Sequence, residues 1–164
     1  MFLKVKKIII NPFVDQRGYL WTSWKVGSFK KIKFNHDKFS LSKKNVLRGL
    51  HGDNKTWKLI SCPYGKLLLV VVNYEKKSKD FLKWNSWVLS QQNGLQILIP
   101  PNYANGHLCL SKECLFHYKL SYTGSYVDTK KQFSIKWNDP KLNIKWNIKK
   151  PILSNRDQNS KLLK

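Results

Sequence analysis

The hydrophobic positions of the chain form short runs that are separated by turn-forming residues. Five segments have the composition of strands: 67–73, 96–100, 114–120, 133–137 and 144–146. The first is a continuous aliphatic run, as expected of a strand buried on both faces, and the last two alternate between apolar and polar residues. No stretch of twelve or more residues has the apolar spacing of an amphipathic helix. The pattern therefore predicts an all-β sandwich or barrel.

Clusters of turn-forming residues lie between these segments. They occur at 63–65, 92–94, 105–106, 123–125 and 138–140, and such clusters are typical of the connections between strands. The sequence contains no internal repeat, linker or low-complexity tract. We therefore predict a single domain over residues 1–164.

The composition excludes several classes of protein. Aromatic residues make up 13% of the chain and hydrophobic residues 41%, which is unlike a disordered tail. The longest aliphatic run, 67–72, is far shorter than the roughly 20 residues that a membrane-spanning helix needs. The three isoleucines at 8–10 are too few for the core of a signal peptide. Three cysteines without a C-x-x-C spacing are typical of free thiols in a reducing compartment, so we predict a cytoplasmic protein with no membrane partner.

The charge of the chain is strongly positive, with 31 Lys plus Arg against 9 Asp plus Glu and a formal net charge of +22. Only Arg17, Arg48 and Arg156 are arginines, and the lysines are spread along the whole chain. Proteins that read nucleic-acid bases depend on the forked donor of Arg, whereas Lys acts as a compact charge. We therefore predict no nucleic-acid partner, and instead a general attraction for anions, including phosphorylated small molecules.

His51 has the most informative surroundings of the four histidines. It ends a strand-like stretch, 46–51, that also contains Arg48 and Gly49. Imidazole is the side chain best suited to accept a proton near neutral pH. A lone histidine is more often structural than catalytic, but a rare arginine three residues away favours a site here.

Successive blocks of the sequence are recognisable when they are taken together. They read Lys44-Asn45-Val46-Leu47-Arg48-Gly49-Leu50-His51, Lys58-Leu59, Leu89-Ser90-x-x-Asn93, Ile99-Pro100, Tyr118-Lys119, Trp137-Asn138-Asp139-Pro140, Ile144-x-Trp146 and Pro151-Ile152-Leu153-Ser154-x-x-Asp157. In this order, and with nearly the same spacing from Asp15-x-Arg17-Gly18 to Asp157, they resemble the dTDP-4-dehydrorhamnose 3,5-epimerases. The resemblance implies an all-β cupin fold, that is, a double-stranded β-helix or jelly-roll barrel. It also implies an isomerase, a carbohydrate epimerase of deoxysugar biosynthesis.

The resemblance implies four catalytic residues. His51 matches the family's base, and Asp157 matches the acid that holds this base. Lys58 matches the lysine near the sugar carbonyl, where a cation stabilises the developing oxyanion. Tyr118 matches the tyrosine that donates a proton from the opposite face.

The same resemblance implies the residues that bind the substrate. Arg48 matches an arginine of the pocket, and Arg17 matches a residue associated with the nucleotide diphosphate. Asn105 stands where the family usually has a second histidine, and it can keep a hydrogen bond but cannot titrate. Arg156 receives no role.

No metal or other cofactor is expected. Metal-binding cupins carry an H-x-H pair and a nearby Glu, whereas Gly52 and Asp53 follow His51. His107 and His117 lie ten residues apart without an adjacent third ligand, so the spacing does not favour a metal site.

The implied function is inversion of C3, C5 or both in a nucleotide-linked 4-keto-6-deoxy sugar. The implied context is dTDP-rhamnose biosynthesis for surface polysaccharide such as lipopolysaccharide O-antigen, with the enzyme acting as a homodimer. Leu69, Asn73, Thr22 and Asn105 depart from the family pattern. They leave two alternatives open: a single-carbon epimerase acting on a sugar that is not dTDP-linked, and a non-catalytic sugar-nucleotide-binding cupin.

Overall fold

The structure of the protein is a computed structural model that describes residues 4–163. The strands are β1 (Lys6–Ile9), β2 (Phe13–Asp15), β3 (Gly18–Leu20), β4 (His36–Lys43), β5 (Leu47–Gly52), β6 (Trp57–Tyr64), β7 (Lys66–Asn73), β8 (Trp84–Ser90), β9 (Leu95–Ile99), β10 (Tyr103–Cys109), β11 (Glu113–Ser121) and β12 (Phe133–Ser134). A short helix, α1 (Asn155–Gln158), follows near the end of the chain. Within residues 4–163 no helix is long enough and apolar enough to cross a bilayer.

Ten of these strands form two antiparallel five-stranded sheets. The order is β1-β9-β6-β11-β4 in the first sheet and β12-β5-β10-β7-β8 in the second, while β2 and β3 form a separate hairpin. One buried cluster contains Ile60 and Ile97 from the first sheet together with Leu69 and Val71 from the second. The two sheets therefore pack face to face around a shared core, as predicted for a jelly-roll barrel.

Strand β7 explains why the longest aliphatic run does not alternate. Leu67, Leu69 and Val71 belong to the core between the sheets, whereas Val70 and Val72 belong to a second core on the other face of the same sheet. A strand that is covered on both faces needs apolar residues at every position. The predicted strand 67–73 is confirmed.

The C-terminal part of the chain corrects two predicted strands. Segment 133–137 forms a strand only at Phe133–Ser134, and segment 144–146 forms none. Trp146 is buried in the second core, and its Nε1 donates a hydrogen bond to the Trp137 carbonyl at 2.8 Å. The alternation at 144–146 therefore reflects one side of an irregular segment that packs on the sheet.

The predicted turn at Asn105–Gly106 is also wrong, because both residues lie inside β10. A Cβ atom on Gly106 would lie 2.8 Å from the carbonyl oxygen of Arg48. Glycine is required here because β5 and β10 approach closely. This close approach places Asn105 opposite His51 in the sheet.

Candidate active site

A cavity of about 390 Å³ opens between the two sheets. The first sheet lines it with Lys38 of β4, Lys58 of β6 and Tyr118 of β11; the second sheet lines it with Arg48 and His51 of β5 and Asn105 of β10; and α1 adds Asp157. This volume lies in the range of pockets that hold small organic ligands. Six of the seven site residues predicted from the sequence therefore line one cavity.

Strand β5 directs both Arg48 and His51 into this cavity, although the two are three residues apart. In a regular strand such residues point to opposite faces. Gly49 has a φ of +125°. The register of the β5–β10 pairing also shifts here, between Asn105 and His107 of β10. A Cβ on Gly49 would collide with Gly106, so the irregularity depends on a glycine at both positions.

His51 and Asp157 form the predicted pair. His51 Nε2 lies 2.7 Å from Asp157 Oδ1, and their side chains are 21% and 3% exposed. Ser154 caps α1 and donates its hydroxyl to Asp157 Oδ2 at 2.8 Å. Burial raises the pKa of the Asp157 carboxyl, but the hydrogen bonds from His51 and Ser154 outweigh it, so the pKa falls below its usual value. Asp157 is therefore an anion that holds the imidazole.

Lys58 is a buried amine that faces a neutral partner. Its Nζ donates a hydrogen bond to Asn105 Oδ1 at 3.0 Å. Burial lowers the pKa of Lys58 to about 8, and the charge of Asp53 opposes this change. Lys58 thus keeps most of its positive charge at neutral pH and offers it to the cavity.

Tyr118 stands on the sheet opposite His51. Burial raises the pKa of its phenol, while nearby Lys38 acts in the other direction. The Lys38 ammonium lies 5.8 Å from the centroid of the Tyr118 ring. The raised pKa keeps the Tyr118 hydroxyl protonated, as a proton donor requires.

Arg48 and His107 occupy the second-sheet wall of the cavity. Arg48 Nε donates to Ser42 Oγ at 3.1 Å, and the His107 ring stacks on Phe116 with 4.2 Å between centroids. Burial and the Arg48 charge lower the pKa of His107 to about 3. His107 is therefore neutral at physiological pH, and Arg48 is a fixed cation of this wall.

Arg17 lies elsewhere. It occupies the turn of the β2–β3 hairpin, its side chain is 82% exposed, and its Nη2 lies 2.6 Å from Asp15 Oδ2. It does not line the cavity of its own chain. Its role in binding the diphosphate stays a prediction.

The structure adds residues that the sequence did not single out. Arg156 lines the cavity and bonds to Gln132 and Ser134, and Ser134 also contacts His51. The rarity of arginine in the chain was a signal for Arg156 alone, and no sequence feature pointed to Gln132 or Ser134. The described residues contain no group of three side chains placed to hold a metal, and the absence of a cofactor stays a prediction.

The fold and the cavity define a cupin whose site is equipped to remove a proton on one face of a substrate and return one on the other. Comparison with known proteins identifies the family within the cupins to which the chain belongs. The chain belongs to the dTDP-4-dehydrorhamnose 3,5-epimerase family, whose profile matches residues 3–164. The predicted family, cupin fold and carbohydrate epimerase are thereby confirmed.

Individual relatives resemble the chain over nearly its whole length. It is 36% identical to the dTDP-4-dehydrorhamnose 3,5-epimerase of Salmonella typhimurium over 167 residues, covering 95% of this chain and 90% of that protein. It is similar to the structure of dTDP-6-deoxy-D-glucose-3,5-epimerase from Legionella pneumophila in complex with dTDP-4-keto-L-rhamnose, with a TM-score of 0.89, 32% identity, and coverage of 96% and 87%. It is also similar to the Bacillus anthracis epimerase with TDP and PPi bound, with a TM-score of 0.89, 29% identity, and coverage of 97% and 94%.

Proposed function

We propose that this chain inverts C3, C5 or both in a nucleotide-linked 4-keto-6-deoxy sugar. The observation that carries the proposal is the placement of the His51–Asp157 pair and Tyr118 on opposite walls of one cavity. Inversion by proton removal and return needs a base on one face of the carbon and an acid on the other. The Legionella relative, in complex with dTDP-4-keto-L-rhamnose, supports a dTDP-linked substrate.

His51 is the base of the proposed reaction. The C4 ketone acidifies the hydrogens on C3 and C5, and neutral His51 takes one of them. The electron pair of the broken C–H bond stays on the sugar as an enolate. Asp157 lies 2.7 Å from His51 Nε2 and stabilises the imidazolium that forms.

Lys58 stabilises the enolate oxygen. A buried cation interacts strongly with charge that develops in a site of low dielectric constant. The contact of Lys58 Nζ with Asn105 Oδ1 at 3.0 Å fixes the amine without neutralising it. In this proposal Asn105 orients Lys58 and also contacts the substrate.

Tyr118 returns a proton from the other wall. Its raised pKa keeps the phenol protonated until the enolate forms. Proton donation to the carbon face opposite His51 then inverts that carbon. The Tyr118 proton is replaced from solvent or from His51 before the next cycle.

The nucleotide diphosphate is held by the cations of the cavity. Lys38, Arg48 and Arg156 all line it, and forked guanidinium groups suit phosphate oxygens. The diffuse positive charge of the whole chain, +22, raises the local concentration of such anions. We assign Arg48 to substrate binding on this ground.

The protein acts as a homodimer in our proposal. On β4, Phe39 and Leu41 point outward and are 60% and 56% exposed, whereas Ser42, between Leu41 and Lys43, is buried. Tyr64 adds a further exposed aromatic on the same sheet. Such an apolar outer face is what a second copy would cover.

The β2–β3 hairpin supports the same proposal. Phe13, Val14, Tyr19 and Leu20 are each more than half exposed on it, and an isolated two-stranded hairpin has little stability in water. Docking on a second copy would bury these side chains. It would also allow Arg17, at the hairpin turn, to reach the diphosphate in the neighbouring protomer's cavity.

The family supports a proposal for the cellular setting of the enzyme. The dTDP-rhamnose pathway supplies an activated sugar, and we propose that this one is used for surface polysaccharide such as lipopolysaccharide O-antigen. The nucleotide-linked substrate and the three free cysteines suit a single-domain cytoplasmic enzyme. We propose no nucleic-acid or membrane partner.

The product distinguishes this function from its alternatives. Incubation with dTDP-4-keto-6-deoxyglucose, followed by NMR assignment of the product, should show inversion at C3 and C5. Inversion at one carbon alone would restrict the proposed function to a single-carbon epimerase. Tight binding of dTDP sugars without any new stereoisomer would identify a non-catalytic binder and contradict the proposal.

A further inference from the structure

Two buried polar groups in the wall of the cavity have a hydrogen bond still to make. The turn that joins β5 to β6 carries Asp53 and Thr56, which both line the cavity and are 4% and 1% exposed. Among residues 4–163, Asp53 Oδ2 and Thr56 Oγ1 have no hydrogen-bond partner. A buried polar group without a partner costs free energy. In the wall of a cavity, such a group points to a ligand that completes it.

The local structure of the turn accounts for only one oxygen of Asp53. Its Oδ1 accepts hydrogen bonds from the backbone N–H groups of Lys55 and Thr56 at 3.0 and 2.7 Å, which is the geometry of an Asx turn. An asparagine would form the same turn equally well. The second oxygen of Asp53, Oδ2, therefore adds nothing to the turn and can accept a hydrogen bond from a ligand.

Lys58 brings a cation to the same buried end of the cavity. It is 8% exposed, whereas His51 and Tyr118 are only partly buried. Its Nζ is paired with Asn105 Oδ1 rather than with a carboxylate, and the charge of Asp53 is close enough to act on it. An ammonium group has three N–H donors, so Lys58 can also bind an oxygen of the ligand. The buried end of the cavity thus offers both a donor and an acceptor.

We propose that Asp53 and Thr56 form a subsite for the C3 hydroxyl of the substrate, so that the enzyme recognises the ketone and the hydroxyl beside it together. The proposal rests on the function proposed above, in which Lys58 stabilises the C4 oxygen. The C3 hydroxyl donates its hydrogen to Asp53 Oδ2, and its oxygen accepts a hydrogen bond from the Thr56 hydroxyl. Both residues determine specificity, and neither exchanges a proton with the substrate.

The chemistry of the sugar explains why the hydroxyl is the one on C3. Of the two carbons beside the C4 ketone, C3 carries a hydroxyl, whereas C5 carries the ring oxygen and the methyl group, which contain no hydrogen-bond donor. A methyl group against the Asp53 carboxylate would leave a buried charge unpaired. The subsite therefore determines which side of the ketone faces the turn, and it orients C3 and C5 relative to His51 and Tyr118.

The test is a calorimetric titration of the full-length protein with dTDP-6-deoxyglucose and with dTDP-3,6-dideoxyglucose. Neither compound has a ketone, so neither is turned over. Loss of the C3 hydroxyl should weaken binding to the wild type by about 10- to 100-fold, which is the range for a hydrogen bond to a charged group. In Asp53→Asn, which keeps the turn, the two ligands should differ by less than about threefold. The affinity of this variant for dTDP alone should be unchanged.

Thr56 is tested with two variants of similar size. Thr56→Val removes the hydroxyl and should weaken binding of dTDP-6-deoxyglucose by about 2- to 10-fold. Thr56→Ser keeps the hydroxyl and should restore the affinity. A loss of the same size in both variants would show that Thr56 acts through packing and would contradict its role in the subsite.

Asp139→Asn is the matched control for Asp53→Asn. Asp139 is buried, and its Oδ1 also accepts a backbone N–H two residues ahead, from Lys141 at 2.9 Å, but it does not line the cavity. This variant should leave both affinities unchanged. A second control is dTDP-2,6-dideoxyglucose, which should bind the wild type nearly as well as dTDP-6-deoxyglucose, because the C2 hydroxyl is not beside the C4 oxygen.

Three results would overturn the proposal. They are equal affinity of the wild type for the two sugars, equal weakening of both sugars in Asp53→Asn, and a larger loss on removal of the C2 hydroxyl than of the C3 hydroxyl. These titrations need no turnover. They therefore decide the role of Asp53 even if the wild type proves inactive as an epimerase, a result that would refute the proposed function instead.

Discussion

His51 Nε2 lies 2.7 Å from Asp157 Oδ1, and the two residues come from opposite parts of the chain, strand β5 and helix α1. The carboxylate is nearly buried, with 3% of its side chain exposed. Ser154 fixes its other oxygen at 2.8 Å. An anion that is held in this way can orient a neutral imidazole and stabilise its charged form.

Replacement of Asp157 by Asn should lower the rate of epimerisation by about 10² to 10⁴-fold. The amide keeps the size of the side chain, but it cannot stabilise the imidazolium. His51→Asn should remove activity altogether, because no base remains. Steady-state rates on a 4-keto sugar nucleotide measure both effects.

Asp37→Asn provides the control for this prediction. Asp37 Oδ1 lies 2.8 Å from His117 Nε2 in a similar pair that does not line the cavity. The control should keep nearly wild-type activity. Equal losses in Asp37→Asn and Asp157→Asn would show that the effect is structural.

Replacement of Tyr118 by Phe should separate the two halves of the reaction. His51 can still remove and return a proton on its own face, so exchange with solvent should persist. Inversion should slow by about 10² to 10⁴-fold, because the proton donor of the opposite wall is lost. The measurement is the ratio of exchange to product formation, and an unchanged ratio would contradict the role of Tyr118.

Replacement of Lys58 by Met should change how stability depends on pH. The pKa of Lys58 is about 8 in the folded protein and 10.5 for an ordinary lysine. Between these pH values the unfolded chain binds more protons, so the free energy of unfolding of the wild type rises with pH. Burial of the Lys58 charge destabilises the wild type fully below pH 8. As the pH rises towards 10.5 this cost disappears, and the free energy of unfolding increases by up to about 3 kcal/mol.

Urea unfolding of both proteins at pH 7 and pH 10.5 checks this prediction. The other lysines and tyrosines titrate in both proteins, so the difference between the proteins isolates Lys58. The wild type should gain stability relative to Lys58→Met as the pH rises. Parallel changes in the two proteins would contradict the burial of a charged amine.

Replacement of Leu41 by Asp should convert the proposed homodimer to monomers. Leu41 lies on the exposed apolar face of β4, and a buried unpaired charge opposes association. Light scattering after size exclusion measures the mass. Val26→Asp is the control, because Val26 is 86% exposed in a loop.

A mixing experiment tests whether Arg17 acts across this dimer. Arg17→Ala and His51→Asn should each be impaired alone. Heterodimers of the two variants contain one intact site if Arg17 serves the neighbouring protomer, so activity should return on mixing and re-association. No recovery from a confirmed heterodimer would contradict a role of Arg17 in the neighbouring protomer's site.

Local patterns predicted the parts of the fold that depend on local burial. The run Leu67–Val72 predicted a strand covered on both faces, and β7 is one. Alternation around Trp146 predicted a strand wrongly, because an irregular segment with one packed side produces the same pattern. Periodicity records which side is buried and not which backbone partner is present.

The candidate site was also predictable only where its residues are close in sequence. His51, Arg48 and Gly49 are close in sequence, and they suggested a site on their own. The partnership with Asp157 followed only from the family resemblance. The contact between Ser134 and His51 depends on the pairing of β12 with β5, and no local feature of the sequence encodes that register.

In the proposed reaction, His51 and Tyr118 move protons at the carbons beside a C4 ketone. The most direct test incubates the wild-type protein with dTDP-4-keto-6-deoxyglucose in heavy water, with a chelator present, and follows deuterium at C3 and C5 by NMR. Deuterium is expected at C3, C5 or both with the wild type, and no incorporation is expected with His51→Asn. Absence of exchange in the wild type with dTDP-, UDP-, GDP- and CDP-linked substrates would contradict the proposed reaction.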